Sequence, residues 1–165
     1  HYGGFNNNFT YKRFDLNIFM QWSYGTEVVN ANRIWYESGY GLQQRPGQNQ
    51  FAARADAWSQ DNQDTDVPRF HPGVGAVYSS QYVEDGSFLR FKTLNFGYAL
   101  PVKFLKRANI SRLRVYAAAQ NIYTFTKYKG YDPEVSTFSS GLTPGMDWSS
   151  YPRALNITAG VNVTF

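Results

Sequence analysis

The segment Leu155-Asn156-Ile157-Thr158-Ala159-Gly160-Val161-Asn162-Val163-Thr164-Phe165 alternates apolar and polar residues without interruption. Successive side chains of a β-strand point to opposite faces. Leu155, Ile157, Ala159, Val161, Val163 and Phe165 therefore share one face, and Asn156, Thr158, Gly160, Asn162 and Thr164 share the other. A slip of one residue would exchange the two sets, so the pattern specifies its own register. Its length also matches the ~9–11 residues that a tilted strand needs to cross a bilayer.

Three further segments carry the same period. In about 9–24 the even positions Phe14, Leu16, Ile18, Met20, Trp22 and Tyr24 are apolar or aromatic, and Arg13, Asp15, Asn17, Gln21 and Ser23 fill most odd ones. Phe19 is the exception. In about 88–100, Leu89 and Phe91 fall in one phase and Leu94, Phe96, Tyr98 and Leu100 in the other; a bulge near Lys92 and Thr93 reconciles them, because one extra residue swaps the faces. In about 112–125, Leu113, Val115, Ala117 and Ala119 oppose Arg112, Arg114, Tyr116 and Gln120, with weaker alternation after Asn121. The closing strand spans about 154–165.

These four strands, apolar on one side only, predict an all-β chain built as part of a transmembrane β-barrel. Leu16, Ile18, Met20, Leu113, Val115, Leu155, Ile157, Val161 and Val163 are the expected lipid-facing residues. Arg13, Arg112 and Arg114 fall in the opposite phase, toward the lumen, since an outward Arg at the midplane costs ~2–4 kcal/mol. Trp22, Tyr24, Tyr98, Tyr123 and Phe125 lie near strand ends, where amphipathic rings suit the membrane interface.

Composition agrees. The 165 residues are 42% hydrophobic and 18% aromatic but only 17% charged, with a mean hydropathy of -0.49. Aromatic-rich yet polar on average describes strands with two unlike faces. No run approaches the roughly 18 apolar residues of a spanning helix. The net charge of +4 comes from scattered residues, which argues against nucleic acid as a partner. The absence of cysteine excludes disulfides, thiolate metal sites and a Cys nucleophile.

The connections, about 25–87, 101–111 and 126–153, run long, short, long. Barrels of this kind carry long loops outside and short turns in the periplasm, so the four strands are expected to run outward, inward, outward and inward. Trp35, Tyr36, Tyr40, Phe51, Trp58, Phe70 and Tyr78 make the first loop a packed, partner-touching element, with a short helix near 51–58. Four strands cannot close a barrel, because single-chain barrels begin at eight. Either a longer chain or several copies supplies the rest, and the strand-like Tyr2 to Asn8 points to a chain continuing upstream.

Val83-Glu84-Asp85-Gly86-Ser87-Phe88-Leu89-Arg90-Phe91-Lys92, followed by Leu94, Gly97, Tyr98, Leu100 and Pro101, resembles the SusC/RagA family of TonB-dependent outer-membrane transporters. Gln120-Asn121, Thr124-Phe125-Thr126-Lys127-Tyr128, Gly130-Tyr131-Asp132-Pro133-Glu134 and Tyr151-Pro152-Arg153 resemble that family's closing motifs in order. Gly3-Gly4-Phe5, Phe9-Thr10-Tyr11-Lys12, Phe14-Asp15-Leu16 and Asp64-Thr65-Asp66-Val67-Pro68-Arg69 extend the likeness upstream, whereas Phe91, Thr93 and Asn95 depart from it.

The resemblance implies the C-terminal four strands of a barrel of about 22 strands. It also implies an N-terminal plug, TonB acting through a missing N-terminal part, and a SusD-like lipoprotein over the extracellular face. Surrounding lipid and lipopolysaccharide, and a glycan or peptide cargo, complete the expected partners. No cofactor is expected. By the same resemblance Phe165 is a terminal aromatic read by the barrel assembly machinery. Arg13, Arg112 and Arg114 are then candidate lumen or plug contacts, and Trp35, Tyr36, Trp58, Tyr131 and Trp148 candidate ligand or lipoprotein contacts.

No catalytic motif emerges. His1 and His71 are the only histidines, and neither has the nucleophile and orienting group of a triad nearby. Asp61, Asp64 and Asp66 lack the Gly and distal Glu of an EF-hand loop. Two rival architectures share the strand pattern: a four-strand subunit of an oligomeric barrel, and a soluble carbohydrate-binding β-sandwich, whose apolar faces meet in a dry core.

Overall fold

The computed structural model describes residues 1–69, 78–101, 109–137 and 145–165. In chain order the elements are β1 (Tyr2–Tyr11), β2 (Phe14–Ser23), β3 (Glu27–Asn30), α1 (Ala31–Glu37), α2 (Tyr40–Gln44), β4 (Val83–Asp85), β5 (Phe88–Ala99), β6 (Arg112–Thr126), β7 (Met146–Asp147) and β8 (Asn156–Thr164), with 3-10 turns at Ala52–Asp56 and Ser80–Tyr82. They form two compact units. One comprises His1–Thr26, Ser87–Lys127 and Pro152–Phe165, and the other Glu27–Gly86 and Tyr128–Tyr151.

The first unit is one antiparallel sheet in the order β1-β2-β5-β6-β8. It has five strands where the sequence pattern counts four. The segment read as one strand over 9–24 folds back at Lys12 and Arg13, so that Tyr11 pairs with Phe14 and Phe9 with Leu16. A parity change marks the fold-back: aromatics of the apolar phase sit at odd positions before the turn and at even positions after it. Turn chemistry gives no signal there, because Lys12, at φ 55, holds a left-handed conformation that Gly, Asn or Asp normally fill in such hairpins.

Cross-strand pairing aligns the apolar set. Leu16 faces Phe96, Ile18 faces Leu94 and Met20 faces Phe91; Leu113 faces Val163, Val115 faces Val161 and Ala119 faces Ile157. Between Phe91 and Thr93 the register shifts at Lys92, which keeps Leu89 and Phe91 on the same side as Leu94 and Phe96. On β6 the matching irregularity contains Asn121, at φ 54, whose side-chain amide donates to the Ala154 carbonyl at 3.0 Å. That irregularity accounts for the weakened alternation after Asn121.

The apolar face lies open: Phe96 is 45% exposed, Val161 57% and Ile157 75%. A sandwich buries such faces against a second sheet, and a soluble monomer rarely leaves so large a contiguous patch in water. The single exposed sheet excludes the sandwich reading.

The second unit has its own core. β3 pairs antiparallel with β4 and parallel with β7, while Ala31, Ile34 and Tyr82 pack together with Met146 against them. Ala31 and Ile34, three residues apart, lie on one face of α1. The segment 51–58, expected to be helical, forms the 3-10 turn Ala52–Asp56.

Candidate functional site

On the polar face of the sheet, Asn17 donates from one amide to Asn6 and Asn8, each at 2.7 Å, and Asn95 donates to Asn17 at 3.4 Å. Below this ladder the Arg114 guanidinium reaches diagonally across β5 to the Asp15 carboxylate, with Nε donating at 3.0 Å and Nη2 closing the ion pair. Gly97 lies beneath that bridge, and a Cβ there would collide with the Arg114 guanidinium. Tyr116 likewise lies flat over Gly160. Glycines in the polar phase therefore let long side chains cross the sheet.

This geometry gives the three candidate lumen arginines different surroundings. Arg114 is engaged by Asp15 within the sheet. Arg13 belongs to the turn, where its carbonyl accepts from Ala99 N at 2.9 Å, and its side chain lines a cleft with Lys12, Phe14 and Tyr98. Phe14 and Tyr98 belong to the apolar phase, so the Arg13 side chain lies beside the apolar set and not in the polar phase expected of it. The residue shares no strand phase because it sits in a turn. Arg112 keeps the polar phase of β6, opposite Thr164. Phe165 follows β8 and is 85% exposed. Leu155 precedes β8.

In the loop unit, Arg33 clasps three segments. Its Nε donates to Glu37 Oε1 at 2.9 Å, and its Nη1 to Glu84 Oε1 at 2.9 Å and to the Gln81 carbonyl at 3.2 Å. Pairing with Glu37, then with Glu84, raises its pKa above the ordinary arginine value. Buried Asp147 accepts from the Tyr128 hydroxyl at 2.7 Å. Burial, reinforced by that bond, pushes the Tyr128 phenol well above its usual range.

These contacts position an aromatic cleft of about 330 Å³ lined by Asn32, Trp35, Tyr36, Arg45, Gln48, Trp148 and Ser149. Trp35 projects from α1 and donates from Nε1 to Gln48 Oε1 at 3.0 Å. Tyr40 meets its ring edge-on at 5.3 Å, and Trp148 lies 6.3 Å away. Asn32 Oδ1 accepts from Ser149 N at 2.7 Å, which anchors the segment carrying Trp148. Of the five candidate loop contacts, the fold gathers Trp35, Tyr36 and Trp148 in this cleft. Trp58, held by its backbone N–H to Val67 O at 2.9 Å, and Tyr131, 85% exposed, lie elsewhere. Asn32, Arg45 and Gln48 had no signal in the sequence, being ordinary polar residues until α1 and its following turn bring them together.

Such a cleft offers π faces flanked by amides and a cation. Among the described residues that line it, no nucleophile stands beside a base. Among the described residues no three His, Asp or Glu side chains stand close enough to hold a metal. The His1 ring stacks on Tyr24 at 5.2 Å, and His71 and Phe70 lie outside the described residues.

No family model matches the chain. It is 40% identical over 168 residues to the TonB-dependent receptor P3 of Formosa agariphila, covering 98% of this chain and 16% of that protein. It is 34% identical over 95 residues to the TonB-dependent receptor SusC of Bacteroides thetaiotaomicron, covering 56% of this chain and 9% of that protein. Among solved structures, the RagAB peptide transporter superposes with a TM-score of 0.82 at 33% identity, over 99% of this chain and 17% of that one. The 'open-open' state of the RagAB peptide importer gives 0.81 at 32% identity. The chain thus spans only a small part of the proteins it matches.

Proposed function

Because this chain belongs to the SusC/RagA family of TonB-dependent outer-membrane transporters, we propose that it supplies five neighbouring barrel strands and two extracellular loops of an active importer. The importer carries glycans or peptides across the bacterial outer membrane and works with a SusD-like lipoprotein over its outer face. The observation that carries this reading is the five-stranded antiparallel meander with one exposed apolar face and one polar face, with a tight turn between β1 and β2 and a separately folded loop unit drawn from the β2–β5 and β6–β8 connections. The apolar residues from Leu16 to Val163 contact lipid, and Arg112 faces the lumen and the plug. Trp35, Tyr36 and Trp148 contact cargo or lipoprotein from the loop unit.

An oligomeric barrel is disfavoured by strand count. Within the described sheet β1 and β8 run in the same direction, because the sheet has an odd number of antiparallel strands, five, and these two form its edges. A ring of identical copies would need a parallel joint at every seam, whereas these barrels are antiparallel throughout.

The test is import by cells carrying the intact parent protein. Uptake of a fluorescent oligosaccharide or peptide pool that requires both the parent and the proton-motive force supports the reading. Uptake that persists at the same rate without the parent, or after uncoupling, refutes it.

A further inference from the structure

We propose that the β1–β2 turn builds a binding site for the headgroup of an anionic glycerophospholipid. Two cations, Lys12 and Arg13, line an open cleft of about 490 Å³ together with Phe14 and Tyr98. Among the described residues no acidic side chain lines it. The nearest carboxylate in sequence, Asp15, points to the opposite face and is held by Arg114. The positive charge in the cleft therefore has no carboxylate of the sheet to balance it.

The turn that carries the cations is held in place. Lys12 adopts φ 55, and its ammonium lies 5.2 Å from the centre of the Tyr11 ring. The Arg13 carbonyl is tied to Ala99 N, which pins the turn to the adjoining strand. Phe14 packs at 4.6 Å from Tyr98 and at 5.8 Å from Phe96, so the cationic mouth opens directly onto the apolar face that continues through Leu16 and Leu94.

A free anion needs only the cations. A phospholipid uses the whole arrangement, with its phosphate between ammonium and guanidinium and its acyl chains along Phe14 and Phe96. Aromatic rings at the boundary suit the interfacial depth at which a headgroup sits, and basic pockets at membrane edges select anionic headgroups. With short turns facing the periplasm, as the loop lengths lead one to expect, the site lies in the inner leaflet of the outer membrane, and this placement rests on the proposed function.

The experiment uses the intact parent transporter, delipidated in detergent and read by native mass spectrometry after addition of dioleoylphosphatidylglycerol. Wild type and the control Lys127→Gln are expected to retain the lipid equally, and the double variant Lys12→Asn with Arg13→Gln to retain about ten-fold less. Equal retention by the double variant overturns the proposal. So does equal retention of dioleoylphosphatidylcholine by wild type, or displacement of the lipid by millimolar inorganic phosphate, which would mark a free-anion site. Orientation is read separately: a Lys12→Cys variant should react with a membrane-impermeant maleimide only after the cells are permeabilised. Reaction in intact cells would overturn the leaflet assignment and the proposed topology, while the lipid retention measured in detergent would stand by itself.

Discussion

The strongest demand the sheet makes is that neighbouring residues of β8 tolerate opposite chemistries, and arginine substitution at Val161 and Thr158 measures it. Val161 lies one residue from Gly160, the middle of Asn156–Thr164, and faces Val115 in the apolar set. With a rise of ~3.3 Å per residue and a tilt of ~40°, one residue corresponds to a depth of ~2–3 Å. With β8 spanning the bilayer as proposed, Val161 falls near the midplane, where an outward Arg costs ~2–4 kcal/mol. At about 1.4 kcal/mol per tenfold, Val161→Arg should lower the ratio of folded to unfolded parent barrel about 30- to 900-fold. Thr158 faces Ala118 in the polar set, so Thr158→Arg should change stability by no more than ~0.5 kcal/mol. Denaturant titration of the parent refolded into phosphatidylcholine vesicles, followed by tryptophan emission, gives both values. Destabilisation by Thr158→Arg equal to or larger than that by Val161→Arg would refute the face assignment.

Three other outcomes follow from the geometry. Tyr128→Phe removes the donor to buried Asp147 and should cost the loop unit ~1–3 kcal/mol, seen as faster amide exchange across Tyr128–Tyr151. Because the folded-state pKa of Tyr128 is raised above 10.0, its contribution is complete below that pH and is lost as pH rises toward the folded value; with the base-catalysed intrinsic exchange rate divided out, protection in wild type should fall above about pH 10, and fall less in Tyr128→Phe. Asp15→Asn should cost only ~0.2–1 kcal/mol, since the pair with Arg114 is partly exposed and screened, and the loss should shrink in high salt; Gly97→Val, which drives the guanidinium off Asp15, should cost at least as much and show the same salt response. Deletion of Phe165 from the parent should reduce its level in the outer membrane, measured by quantitative blotting of membrane fractions, and an unchanged level would remove any role for this residue in assembly.

Period-2 alternation made much of the sheet legible. Leu155 to Phe165 could not be shifted by one residue without presenting Asn, Thr and Gly to an apolar medium, and the phase switch at Lys92 announced its bulge in the same way. The Lys12-Arg13 turn was harder to read, because the residue in the left-handed position carries none of the usual turn chemistry. The same turn displaces Arg13, whose expected phase came from a strand it does not belong to.

The loop cleft was only half visible. Trp35, Tyr36 and Trp148 stand out by residue type, but nothing in their spacing indicates that residues more than a hundred positions apart share one wall, nor that Trp58 and Tyr131 stand outside it. Their meeting depends on β3 pairing in parallel with β7 and on the Asn32 to Ser149 bond, both long-range contacts.

The sequence alone was sufficient to define the chain class, the outward-facing residues of most strands and the family, because alternation is a local property that one hydrophobic boundary enforces on every residue of a strand. Only the tertiary structure decided the fifth strand, the Asp15–Arg114 bridge over Gly97, the cationic cleft beside Phe14 and the grouping of the loop aromatics. Each of these depends on which strands and turns become neighbours across the sheet or within the loop unit, and the free energy of such contacts is shared between residues far apart in the chain.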